Sequence, residues 1–233
     1  MQWGLVGRRL GALEPERIAA VIDIIYRSGR HSRGGRLFQM LMVDHEGLRN
    51  ALGERLCRRV YLASLEMGLG RVSRLFTDLP PRRSGFAGYD KEEEAGMELL
   101  SLGLRRSMAK SPVKDTLDRL LSDPDPVVIR HLLDNPRITE REVLKIASKR
   151  PNSPEILRLV AGHRKWSKRR AVKKSVALNP YAPPRLVIGL LEMLLLQDLK
   201  EIATTRTLHR QIRLCAQELI AEREGAPPAG ETF

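Results

Sequence analysis

Seven of the eleven side chains from residue 164 to residue 174 are cationic: Arg164, Lys165, Lys168, Arg169, Arg170, Lys173 and Lys174, with Trp166 set among them. Cations at this density do binding chemistry. They neutralise carboxylates or phosphates, and an interleaved indole can stack on a base or on a partner's side chain. At about 100° per residue, Ala171, Val172, Ser175 and Val176 share one helix face and Arg169, Arg170, Lys173 and Lys174 the opposite one. Four cations with no acid beside them repel one another unless an anion meets them. Two readings follow, an anion-binding surface or the solvated side of an amphipathic helix. Trp166 has the same choice between contact with a partner and packing at the junction of two helices.

Catalytic and metal chemistry find little footing. The five histidines, His31, His45, His131, His163 and His209, show no HExxH or other ligand spacing. No GxSxG occurs, and Asp123 and Asp125 in SDPDP read as turn and helix-cap residues, not as an acid–base pair. The stretch holding Arg27, Arg30, His31, Arg33 and Arg36 has glycines that would let backbone N–H groups approach a phosphate. It lacks the GxxxxGK[ST] pattern, however, and reads as a solvated loop. Cys57 and Cys215 each sit in an apolar helical stretch, too few and too far apart for a disulfide framework or a metal cluster. The expectation is no catalytic residue, no metal and no cofactor.

The bulk composition agrees with a binding role. With 41 Lys and Arg against 28 Asp and Glu, the formal net charge is +13, which favours nucleic acid, an anionic membrane face or an acidic protein. An apolar fraction of 42% over 233 residues is enough for a sizeable core. The longest apolar stretch, residues 186–196, is interrupted by Glu192 and is too short to span a bilayer. The first residues lack a secretory pattern, so a cytoplasmic protein without a transmembrane segment is expected.

The elements that would carry these residues are helical. Pro15, with Glu14 and Glu16 beside it, starts a helix whose stripe is Ile18, Val21, Ile22 and Ile25, running up to Ser28 and Gly29. Leu37, Met40, Leu41 and Met42 suggest a short helix, and Leu48, Leu52, Leu56, Val60 and Ala63 a longer one ending near Gly68 or Gly70. Residues 71–79 suggest a further turn or two. PPRRSGFAGYD then reads as a linker. The organisation expected is an N-terminal helical segment over 1–78, a linker over 79–90, a helical repeat domain over 91–222 and a flexible tail over 223–233. Within the repeat domain, a helix is expected from Lys91 to Arg106 and another from Ser111-Pro112 with Leu117, Leu120 and Leu121 inside.

Two stretches then align with their Asn-Pro pairs in register. Asn135 and Asn179 lie 44 residues apart, inside the roughly 40 to 47 of armadillo and HEAT-type repeats. Val127-Val128 match Ala171-Val172 and then Cys215-Ala216, while Leu132 matches Val176 and Ile220. Thr139 and Pro183 hold the entry of the second helix, and Val143, Leu144, Ile146 and Ala147 match Val187, Ile188, Leu190 and Leu191. Thr139 with Glu142 has the spacing of a capping box. In the third helix Ile156, Leu159 and Val160 face Leu199, Ile202 and Ala203, with a one-residue slip. The Asn-Pro pairs themselves read as punctuation, since Asn accepts turn conformations and Pro disfavours helix before it.

The alternation DPDPVVIR, DNPRITEREVL, RPNSPEILRLVA and LNPYAPPRLVIGLL resembles bacterial HEAT-like and leucine-rich-repeat-variant proteins over about residues 122–220. The run from His163 to Arg169 is similar to that of bacterial proteins carrying HRxWSxR. The resemblance implies an all-α fold, an α-solenoid of short three-helix repeats behind an N-terminal helical segment, acting as an interaction scaffold. The N-terminal cysteine cluster that holds an iron–sulfur centre in some leucine-rich-repeat-variant proteins is missing here, so no cluster is carried over. The WSKRRA run also looks faintly like the HEAT-repeat DNA glycosylases, but those depend on several aromatic residues and this chain has only Trp3 and Trp166 as tryptophans. The leading expectation is a non-enzymatic adaptor that offers its basic surface to an acidic protein. Nucleic acid held through its phosphates is the alternative.

Overall fold

The computed structural model describes residues 3–31, 36–77, 79–85 and 96–225. Fifteen α-helices and two short 3-10 turns make up its regular structure, with no strand among the described residues. The helices are α1 (Trp3–Gly11), α2 (Pro15–His31), α3 (Arg36–Val43), α4 (His45–Leu52), α5 (Glu54–Glu66) and α6 (Gly70–Leu75). A 3-10 turn (Gly96–Leu99) precedes α7 (Leu102–Met108), α8 (Lys114–Arg119), α9 (Pro126–Asp134), α10 (Glu140–Ser148) and α11 (Pro154–Gly162). A second turn (Trp166–Lys168) leads into α12 (Arg170–Ala177), α13 (Pro184–Leu191), α14 (Leu196–Thr204) and α15 (Arg210–Arg223). The chain divides into two compact units, one of Met1–Pro80 with Arg185–Met193, the other of Pro81–Pro184 with Leu194–Phe233.

In the first unit, Ile18, Ile22 and Tyr26 of α2 meet Leu41 and Met42 of α3, Val60 of α5 and Val72 of α6 in one apolar core. Helix α2 continues to His31, past the Ser28-Gly29 stop expected from the sequence. Arg27 and His31 are therefore helical, and the Arg27 guanidinium pairs with Asp23 one turn back at 2.7 Å. Arg33 lies outside the described residues. The long helix expected from Leu48 to Gly68 is two helices, because Gly53 adopts a left-handed backbone (φ 78°) and donates its N–H to the Arg49 carbonyl at 2.8 Å, ending α4. Helix α1 has no counterpart in the sequence reading. Its Gly7 lies close against Ala51, and Trp3 Nε1 donates to Asp44 Oδ2 at 2.7 Å. Residues 185–193, which periodicity places in the second repeat, belong to this unit: Tyr26 Oη donates to Glu192 at 2.7 Å, and Gly189 meets the Met42 backbone without room for a Cβ.

In the second unit the helix expected over residues 91–106 is interrupted. Leu99 ends a 3-10 turn with its side chain almost fully exposed, and Ser101 starts α7 afresh by accepting the Leu104 N–H. Residues 91–95 lie outside the described residues. From Ser122 onward many of the periodic positions turn inward, while Val127, Leu144 and Leu159 are only partly covered. Val128 and Val172 are wholly buried, as are Leu132 and Val176, and Leu133 and Ala177 are nearly so. Ala171 stands exposed and Ile220 only partly covered, contrary to the face and the match assigned to them.

The Asn-Pro asparagines do more than punctuate. Asn135 Nδ2 donates to the carbonyls of Ala109 and Ser111, just past α7, both at 2.9 Å. Asn179 Nδ2 donates to those of Ala147 and Lys149, at the end of α10, also at 2.9 Å. Each Oδ1 accepts the backbone N–H two residues on, from Arg137 and Tyr181. Both side chains are buried, and each clamps the orphan carbonyls at the C-terminus of an earlier helix. Another 44 residues along stands Arg223, whose Nη1 donates to the Leu194 carbonyl at 2.6 Å. At that position a long cation, not an amide, reaches a loop carbonyl.

Candidate functional site

The basic run begins on a rigid base. Trp166 is 2% exposed, and its Nε1 donates to the Leu133 carbonyl of α9 at 2.9 Å. The His163 ring stacks near it and approaches Asp134 with Nε2 at 3.1 Å, while Lys165 N–H donates to His163 Nδ1 at 3.3 Å. The residues between Gly162 and Arg170 are therefore pinned to α9 through backbone and ring contacts. Such an indole serves packing, and its ring edge is closed to a base. Lys165 covers one outer part, its Nζ 4.1 Å from the ring centroid.

The seven cations separate into two sets. Arg164, Lys165 and Lys168 are exposed on the turn and form no ion pair among the described residues. The four cations at the entrance of α12 and within it, by contrast, meet the protein's own acids or are partly covered. Arg169 lies 3.6 Å from Glu140 at the start of α10. Arg170 and Lys174 converge on Asp198 of α14, at 3.8 and 3.1 Å, and Lys174 also reaches Glu201 at 2.6 Å. Hydrogen bonds from Lys174 to Glu201 and Asp198 push the lysine's pKa up, against a smaller opposing effect of burial. Lys173 is half-buried, and burial pushes its pKa down.

The acids that answer the four-cation face were missed because they stand on other helices. Asp198 is fully buried, and its only trace in the sequence is the pair Asp198 and Glu201, three residues apart in LQDLKE, one turn of one helix. The expected mutual repulsion is thus relieved within the chain. What remains outward is the turn itself, Arg164, Lys165 and Lys168, with Arg169 at its edge on a weak, water-exposed pair. Arg169 also occupies the N-cap position of α12 and offers no acceptor, so the first turn of that helix has no side-chain cap.

Asp123 and Asp125 are structural, as their spacing suggests. Asp125 Oδ1 accepts the N–H groups of Val127 and Val128, and Asp123 accepts that of Asp125 and lies 3.2 Å from Arg105. Glu142 accepts the N–H and hydroxyl of Thr139 and lies 3.1 Å from Lys114. Burial alone would raise its pKa, but these donors hold the carboxyl down at about 2. Among the described residues no three or more His, Cys, Asp or Glu gather to hold a metal ion, and no helix is long and apolar enough to cross a membrane. No protein-family model, curated protein or solved structure matches the chain.

Proposed function

We propose that this protein is a helical-repeat scaffold, its three-helix units stacked as an α-solenoid, and that the basic turn at residues 164–169 holds an acidic segment of a protein partner. The observation that supports this reading is the contrast within the run: Arg170 and Lys174 are held by buried or neighbouring carboxylates, while Arg164, Lys165 and Lys168 face solvent above the anchored Trp166. A preset turn loses little backbone entropy when it binds, and rim charges of this kind set association rate and salt dependence. The asparagine clamps favour stacking of successive units, because each ties a helix end to an earlier one. The closed indole argues for a protein over single-stranded nucleic acid, whose binding draws much of its strength from bases stacked on exposed rings.

The test is fluorescence anisotropy with a labelled glutamate-rich peptide and with labelled single- and double-stranded DNA, for wild type and the triple variant R164E/K165E/K168E. A control triple, R9E/R55E/R119E, changes net charge equally at exposed sites elsewhere. The expected result is peptide binding that weakens at least about tenfold in the turn variant and much less in the control. Equal weakening in both variants would reduce the turn to one part of a diffuse charge. Binding of DNA alone, falling steeply from about 50 to 200 mM salt, would transfer the surface to nucleic acid.

A further inference from the structure

We infer that the acidic segment held at the basic turn lies extended and runs on over the outer face of α10, where Arg141 and Lys145 meet acids at alternate positions of its chain. The segment is the one proposed for the turn, so this placement rests on that reading and adds to it two residues and a backbone conformation. The turn stands at the entrance to α10. Arg169 lies 3.6 Å from Glu140, the first residue of α10, and beyond α12 the Asn179 amide holds the carbonyls of Ala147 and Lys149 at the end of α10. Helices α10 and α12 are joined at their starts and at their ends, so they run side by side in one direction, with Arg164, Lys165 and Lys168 just ahead of them.

Glu142, Val143, Ile146 and Ala147 form the buried side of α10. Arg141 and Lys145, one helical turn apart, share the opposite side, and both are exposed. Neither side chain forms an ion pair or a hydrogen bond among the described residues. About 6 Å of helix separates them, and like charges at this spacing repel unless an anion lies between. The acids nearest in sequence are engaged: Asp134 faces His163, Glu140 faces Arg169, and Glu142 is buried against Lys114 and Thr139. The partner's conformation follows from what the face lacks. No large apolar side chain from residue 126 to residue 184 is exposed, so an amphipathic helix finds no apolar seat here. An extended chain needs none, and its alternate side chains fall on one edge roughly 6.6 Å apart, close to the step from Arg141 to Lys145. The partner is therefore a polar segment with carboxylates at every second residue.

The experiment is fluorescence anisotropy on the full chain with three labelled peptides of six glutamates each: alternating Glu-Ser, paired Glu-Glu-Ser-Ser, and an alanine-based helix with glutamate at every fourth residue. R141E/K145E is compared with R164E/K165E/K168E and with R206E/R210E, which changes charge at exposed sites near the start of α15. The expected result is that the alternating peptide binds at least about fivefold tighter than the other two. R141E/K145E should weaken that peptide at least about fivefold and cancel its advantage, with a far smaller change in R206E/R210E. R141Q/K145Q should act in the same direction with a smaller loss, and circular dichroism should show unchanged helical content in every variant. Equal affinity for the three peptides, or tightest binding of the helical one, would overturn the extended conformation. Weakening by the turn variant without weakening by R141E/K145E would overturn the extension over α10 and leave the turn standing as the site. No weakening by either beyond that of R206E/R210E would overturn both readings, and so would tighter binding of single-stranded DNA with six phosphates than of any peptide.

Discussion

Helices α9 and α12 stand 44 residues apart in the chain, bury corresponding positions, and carry opposite charges at their entrances. Ahead of α9 the acids Asp123 and Asp125 face the cations Arg105 and Arg106 of α7, at 3.2 and 3.5 Å. Ahead of α12 the cation Arg169 faces the acid Glu140 of α10, at 3.6 Å. Asp125 caps α9 with its carboxylate, while Arg169 in the same register gives α12 no cap. Ile129 is buried in α9, and its counterpart in α12 is Lys173, a half-buried ammonium. Burial positions repeat because helix packing needs shape, whereas outer charge needs only a partner of opposite sign, on whichever helix supplies one.

The largest effect is expected where the two stretches are alike. Asn135→Ala and Asn179→Ala each strand two helix-end carbonyls and one amide, and each should cost on the order of 3 kcal/mol in urea unfolding, with Asn179→Asp at least as damaging because it puts a carboxylate against carbonyls. A loss confined to one of the pair would break the equivalence. Next comes a pH effect at Glu142, which has no acidic counterpart 44 residues on, where Leu186 stands. Glu142 titrates at about 2 in the fold against 4.5 ordinarily, so its stabilisation is present above pH 4.5 and disappears as pH falls toward 2. About 3 kcal/mol should be lost over that window, and Glu142→Gln should flatten this part of the stability profile.

Smaller changes sharpen the contrast at the helix entrances. Asp125→Ala should cost about 1 kcal/mol through the lost cap, and Arg169→Asp should stabilise α12 by about half as much, by supplying a cap and removing a cation from the positive end of the helix. Opposite signs in thermal unfolding are the check. The smallest shift is expected for Lys173→Ile, which places there the residue type of Ile129, 44 positions earlier, and should gain about 0.5 kcal/mol, the desolvation of the ammonium being removed. A destabilised Lys173→Ile protein would mean that the lysine stem already fills its site.

Much of the local turn and cap chemistry was legible. Asn-Pro pairs in register, Thr139 with Glu142, and SDPDP as a cap segment are local chemistry, read over a few residues, and they stand in the fold as turns and helix starts. The basic turn was legible as a charge cluster but not as two sets of cations, since the carboxylates that divide them are 24 to 29 residues distant in sequence. Helix interruptions were missed where one residue overrides a continuous stripe, as Gly53 and Ser101 do.

Helical class, the positive charge and many of the positions that turn inward follow from residue type and spacing, because propensity, capping and amphipathic burial act within one or two helical turns. Tertiary structure alone decided that Trp166 is a buried anchor, that Asp198 neutralises Arg170 and Lys174, that Asn135 and Asn179 hold distant helix ends, and that residues 185–193 join the first unit. Those outcomes depend on which surfaces meet. A side chain's solvation and charge partners are set by neighbours that the chain brings in from dozens of residues away.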